Sequence, residues 1–164
     1  MKFKYKDQIV TASSKIEAIK KIKFLKKDKD YIFKKAENGD TSIFKLPKEA
    51  LMIQDEDGNT PVHLLADNGI KEILKLPKEL LMIKNVWGET PVHYLSRWGF
   101  KEILNLPKEV LKIQDNDGET AIYELAWKGV KEIWKLPKEL LSTKNKKGRT
   151  PISILNQTLI NNKE

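Results

Sequence analysis

An all-α repeat solenoid, closed at its start by a small N-terminal β-hairpin plus helix cap, is the fold class that the sequence predicts. Three observations lead there. Gly58, Gly88, Gly118 and Gly148 recur at intervals of 30 residues, and Thr60, Thr90, Thr120 and Thr150 follow each glycine two positions on. Self-similarity at a fixed period of about 20–50 residues is the mark of a stacked array, in which no unit can bury its apolar face alone. Within a unit, Val92, Leu95 and Ser96 fall at i, i+3 and i+4, the spacing of one helix face, while Tyr94, Arg97 and Trp98 share the opposite face. Residues 1–27 lack the period and read instead as alternation followed by an amphipathic helix.

In the first stretch Phe3 and Tyr5 alternate with Lys2, Lys4 and Lys6, and Ile9-Val10-Thr11 follow a short polar break. Period-two spacing of β-formers around a turn predicts a hairpin. Ser14 and Glu17 form a capping box, in which hydroxyl and carboxylate satisfy backbone donors at a helix start. The helix is expected over about 15–25, with Ile16, Ile19, Ile22 and Phe24 or Leu25 as its apolar stripe. An end unit has one unfilled interface, so hairpin and helix are expected to cover the first unit.

The organisation is then a basic cap at 1–27 and a repeat array at 28–164. The array divides into a degraded first unit at 28–57, full units at 58–87, 88–117 and 118–147, and a C-terminal cap at 148–164. The first unit keeps register because Tyr31 to Ala36 precede Gly39 as Pro61 to Ala66 precede Gly69. In a full unit Gly99 suits a left-handed helix end. Phe100, Ile103 and Leu104 point a second helix inward, and Pro107 stops or turns it. Ile53, Ile83, Ile113 and Trp134 are expected in the core. Leu159 stands where the period would place a glycine, so the last helix is expected to run on through Ile160 and close the stack.

The words inside the unit resemble those of a known family. Thr60-Pro-Val-His63 and Thr90-Pro-Val-His93, each followed by Leu-Ala or Leu-Ser and then Gly69 or Gly99, are similar to the Thr-Pro-Leu-His-x-Ala signature of ankyrin repeats. Thr120-Ala-Ile-Tyr123 and Thr150-Pro-Ile-Ser153 are weaker copies in the same register. The units depart from the family length of about 33 residues, and Leu-Pro-Lys-Glu recurs where the second helix would be trimmed. The resemblance covers roughly residues 30–160. It implies that His63 and His93 bond backbone between units, and that turn tips and first helices line a concave protein-binding surface.

Composition narrows the function classes. With no cysteine there is no disulfide framework, thiolate metal site or cysteine nucleophile. No apolar run approaches the roughly 18 residues of a membrane span, and the start lacks the apolar core of a secretion signal, so a cytoplasmic protein is expected, in the host cytoplasm for a viral or delivered effector. The net charge of +8 is confined to residues 1–35, where twelve lysines face four acids; the remaining 19 basic and 19 acidic residues cancel. Two histidines are too few for a metal cluster, so no metal and no cofactor are expected. Recurring Lys71, Lys101 and Lys131 beside Glu72, Glu102 and Glu132 read as solvated pairs. The Asp-rich stretches before Gly58 and Gly118 read as turn chemistry rather than calcium loops. Without a phosphate loop, an acid/base pair or a nucleophile elbow, the chain is read as no enzyme, and no small-molecule substrate is expected.

Subtracting the unit from itself isolates the positions free to differ. The pair before each turn glycine reads Glu56-Asp57, Val86-Trp87, Asn116-Asp117 and Lys146-Lys147. The pair ending each first helix reads Asp67-Asn68, Arg97-Trp98, Trp127-Lys128 and Gln157-Thr158. The resemblance places Trp87, Trp98 and Trp127 on the binding surface with Tyr94 nearby, flanked by Glu56, Asp57 and Asp67 on one side and by Lys146 and Lys147 on the other. Packing of the indoles against neighbouring turns is the bland alternative. Tryptophan and arginine are enriched in binding hot spots. The function expected is a non-catalytic protein–protein interaction module, an adaptor or an inhibitor acting by occupation. The alternative is nucleic-acid or anionic-membrane binding through Lys4, Lys6, Lys23 and Lys27, which would weaken steeply with salt. Leu95→Ala or Ile103→Ala is expected to cost about 2–5 kcal/mol in urea unfolding, the loss typical of a buried side chain truncated to a cavity.

Overall fold

The computed structural model describes residues 2–5, 8–11 and 28–161. Strands β1 (Lys2–Tyr5) and β2 (Gln8–Thr11) pair antiparallel, with Phe3 opposite Val10 and Lys4 opposite Ile9. The expected helix over 15–25 lies outside the described residues. Over residues 28–161 the secondary structure is helices joined by turns and short extended pairs. The α-helices are α1 (Lys29–Glu37), α2 (Pro61–Asp67), α3 (Lys78–Leu81), α4 (Pro91–Ser96), α5 (Lys108–Leu111), α6 (Ala121–Trp127), α7 (Lys138–Leu141) and α8 (Pro151–Asn161). Five 3-10 segments join them, at Thr41–Lys45, Lys48–Leu51, Lys71–Lys75, Lys101–Asn105 and Lys131–Lys135. Among the described residues no helix is long and apolar enough to cross a membrane.

The longer helices α1, α2, α4, α6 and α8 pack one on the next in chain order. The start of α4 shows why they form where they do. Thr90 is extended, and Pro91 takes the first helical position, where its missing N–H costs nothing. Val92, Leu95 and Ser96 are buried as their spacing requires. The helix then ends at Gly99, whose φ of 76° is open to glycine at little cost. Leu65, Leu95, Leu125 and Leu155 continue one apolar seam through the stack, and Ile73, Ile103 and Ile133 close it from the other side.

The second half of each unit is not the single trimmed helix expected. It is a 3-10 segment, an extended Leu-Pro pair and then one helical turn. Pro107 (φ −54°) lacks an amide to continue the first piece and excludes helical geometry at Leu106 (φ −69°, ψ 154°), yet it is well set to begin the next piece. This geometry overturns one expectation. Three residues per turn aligns Val130, Ile133 and Leu136 and rotates Trp134 off that face. Trp134 is 48% exposed rather than core, while Leu74 and Leu104 at the same place stay half-buried against the core. Ile53, Ile83 and Ile113 are half-buried rather than fully inside. The last helix does run on, to Asn161, with Leu159 in place of the stop glycine.

Between units the turns are joined backbone to backbone. Val86 donates to the Asp57 carbonyl at 2.9 Å, Asn116 to Trp87 at 2.9 Å and Lys146 to Asp117 at 2.8 Å. Asn85, Asp115 and Asn145 cap the turns, each side-chain oxygen accepting two amides further along its own turn. On the exposed side, Lys48–Glu79, Lys78–Glu109 and Lys108–Glu139 form cross-unit ion pairs, as do Lys71–Glu102 at 3.6 Å and Lys101–Glu132 at 3.7 Å. In water each such pair contributes little.

The turn glycines separate a conformational requirement from a packing one. A Cβ on Gly88 would lie 2.8 Å from the Asn116 amide nitrogen, whereas one on Gly148 would meet nothing within 4 Å; both residues have positive φ. Gly148→Ala is expected to cost about 1–2 kcal/mol, the left-handed penalty alone. Gly88→Ala is expected to cost at least about 1 kcal/mol more, because the next turn must shift. Paired urea titrations of the two variants measure the difference.

Candidate partner-binding face

The turn ladder places one varied pair of residues at the edge of each unit. Glu56, Asp57, Trp87, Asn116, Asp117, Lys146 and Lys147 are all exposed, so this edge is acidic at its first tip, aromatic at the second, acidic again at Asp117 and basic at the last. Trp87 is 48% exposed on its turn, Trp98 55% and Trp127 44% at the ends of α4 and α6. Asp67, Arg97 and Lys128 are exposed beside them. Among the described residues the three indoles make no ring contact with one another.

Each has its own surroundings. Trp98 Nε1 donates to the Asp67 carbonyl at 3.0 Å, and its ring would lie 3.0 Å from a Cβ on Gly69. Asn68, one unit earlier, donates to the carbonyls of Ala36 at 3.2 Å and Glu37 at 3.0 Å, and the Lys128 stem covers Gly99 one unit later. This position therefore clasps the preceding unit as well as facing solvent. Trp127 has the Arg149 guanidinium 6.0 Å from its ring. Among the described residues, neither Arg149 Nε nor the buried Tyr123 hydroxyl has a hydrogen-bond partner.

Tyr94 is half-buried and ties its own unit to the one before it. Its hydroxyl accepts from Asn85 at 3.1 Å and donates to Asn59 at 3.3 Å, and its ring meets His63 edge-on at 5.6 Å. Arg97 lies 4.6 Å over that ring and pairs with Glu89. Burial raises the Glu89 carboxyl above its ordinary value, against the lowering effect of Arg97, and burial likewise raises Tyr94. Trp87, Glu89, Tyr94, Asp115, Asn116 and Asp117 line one open cleft of about 430 Å³. The sequence alone does not mark Glu89 and Asp115 as site residues, and it marks Asn116 only as one of the varied turn pair. A signal was there for the first: the residue after each turn glycine changes from Asn59 to Glu89, Glu119 and Arg149.

The histidines are placed as the resemblance implied. His63 Nδ1 faces the Thr60 amide at 3.0 Å and the Thr60 hydroxyl at 2.9 Å, while Nε2 lies 3.2 Å from the Glu89 carbonyl. A carbonyl can only accept, so Nε2 carries the proton and Nδ1 receives the amide. His93 repeats the arrangement with Thr90 and Glu119. At the same place Ser153 closes the turn alone, bonding the Thr150 amide and carbonyl. Among the described residues no three histidines, cysteines or acids are grouped to hold a metal ion. Lys6, Lys23 and Lys27 lie outside the described residues, and Lys4 is described only by its place in β1.

No family model matches the chain, and no curated protein sequence matches it.

Burial holds both imidazoles neutral, lowering each to about 4. Unfolded, they titrate near about 6.5. Between these values the unfolded chain binds protons that the folded chain refuses. Stability is therefore full above about pH 6.5 and falls on acidification by up to about 1.4 kcal/mol per pH unit for each imidazole. Glu89 and Glu124, raised by burial, act in the opposite sense and offset part of the loss at the acid end. Unfolding free energies at neutral and mildly acidic pH should show this decline, and His63→Gln should make it shallower.

Proposed function

We propose that the chain is an ankyrin-like repeat solenoid, capped at its start by the hairpin and the helix that follows, acting as a non-catalytic protein-binding module. Its partner is bound on the face formed by turn tips and first helices, and bound by occupation, as an adaptor or inhibitor does. The observation that carries this reading is the exposure of Trp87 and Trp127 at positions where the repeating unit changes its residues. Tryptophan loses much apolar surface to a partner and dominates interfaces in which it is buried. The acidic edge at Glu56, Asp57 and Asp67 and the basic edge at Lys146 and Lys147 give the face a polarity, which orients a partner of reversed gradient and excludes others.

Because Trp98 also clasps the preceding unit, the informative variant is Trp87→Ala with Trp127→Ala. It is expected to keep the parent's circular dichroism and melting behaviour while each substitution weakens partner binding about 10- to 100-fold. Capture from nuclease-treated lysate, compared between parent and variant by mass spectrometry, identifies the partner. The same proteins retained by both would remove the tryptophans from the site.

A further inference from the structure

The cleft beside Trp87 has a chemistry narrower than that of the face around it. Two aromatic rings, Trp87 and Tyr94, share it with three acids, Glu89, Asp115 and Asp117. The chain's own Arg97 shows what this lining accepts: its guanidinium lies 4.6 Å over the Tyr94 ring and pairs with Glu89. That arginine answers one acid of the three. Asp115 directs one oxygen to the Asp117 and Glu119 amides as a turn cap, at 2.9 and 2.8 Å. Asp117 is exposed, and among the described residues its carboxylate has no hydrogen-bond or ion-pair partner. The Trp87 ring, half exposed, likewise lacks a ring or cation neighbour.

We propose that this cleft takes an arginine side chain from the protein partner, stacked on Trp87 and paired with Asp117. The proposal rests on the reading of the chain as a protein-binding module and names the chemistry its partner must present. Charge selects a cation, because the lining carries three carboxylates against Arg97. Shape selects the guanidinium. It is planar, stacks on aromatic faces and is more weakly hydrated than an ammonium, and its forked donors match a carboxylate. Acids at the cleft also disfavour phosphate, which sets this part of the face against a nucleic-acid ligand.

The test uses the full chain, labelled with nitrogen-15, and the Trp87 indole resonance, assigned by its loss in Trp87→Phe. The probe is the blocked tripeptide glycyl-arginyl-glycine, with its citrulline counterpart as the neutral isostere and its lysine counterpart as the alternative cation. The arginine peptide should shift the Trp87 indole saturably, the citrulline peptide should bind at least about fivefold more weakly, and Asp117→Asn should weaken arginine binding about two- to fivefold, as expected for one exposed ion pair. No shift, or equal binding of arginine and citrulline peptides, overturns the site. Equal binding of the lysine peptide overturns the guanidinium assignment in favour of a general cation site, open to a lysine-rich segment of a second copy. A captured partner that is weakened by Trp127→Ala but binds Asp117→Lys undiminished also overturns it, and leaves the binding module standing. Saturable, arginine-selective binding in a chain that captures no protein supports the guanidinium site and removes the broader reading instead.

Discussion

The bond from the amide of one turn to the carbonyl of the turn before it sets the distance at which each unit must sit. With Val86 held to Asp57, Asn116 to Trp87 and Lys146 to Asp117, the first helices are brought close enough for Val62, Leu65, Val92, Leu95, Ile122 and Leu125 to form one core. The same closeness explains the small and polar residues around it. Gly58 and Gly118 are overlain by backbone of the following turn, and the imidazoles of His63 and His93 span the gap to the next unit. Buried polar groups left without partners would cost more than the apolar contacts nearby contribute. Here the two imidazoles reach a carbonyl of the next unit, so part of the stability is shared between neighbours rather than held by any one.

On that frame the residues that vary do two different things. At 68, 98 and 128 the side chain lies over the end of the preceding first helix, as amide, indole or lysine stem. Variation there is tolerated because a helix end offers free carbonyls and an open glycine to several side-chain types. At the turn tips Asn116 still donates its side-chain amide to the Val86 carbonyl at 2.9 Å, whereas Trp87 turns its ring away from the frame. Trp87 keeps nearly half its surface in water while its backbone carbonyl is committed to Asn116. The backbone thus does the structural work at that position and leaves the ring to meet something else. Arg97 shows the intermediate case, exposed yet held over Tyr94 by charge and ring together.

Much of the helical framework was legible because two short-range signals agree. The thirty-residue glycine period marks the turns, and the i, i+3, i+4 pattern marks the buried face of α4, whose Val92, Leu95 and Ser96 are buried as expected. Legibility failed at Trp134 for a definite reason. An α-helix would set it four residues beyond Val130 on the inward face, but Leu136-Pro137 leaves a 3-10 segment whose tighter winding puts this position at the margin of the core, where Leu74 and Leu104 fit half-buried and the larger indole extends into water. The same junction leaves Ile83 and Ile113 half-buried. Glu89 and Asp115 were missed as cleft residues because one reads as a residue after a turn and the other as a turn cap. Only the packing of adjacent units brings them beside Trp87 and Tyr94.

By itself the sequence determined where the units begin, which residues of each first helix are buried, and which positions are free to change. All three follow from local periodicity and from the conformational limits of glycine and proline, which need no neighbour to act. The tertiary structure decided what the free positions do. Trp98 became a clasp on Gly69 and Asp67, Trp87 became the wall of an acidic cleft, and Tyr94 bridged Asn59, Asn85 and His63. These roles depend on residues about 30 positions apart, brought together by the stacking of units, and no local signal carries that distance.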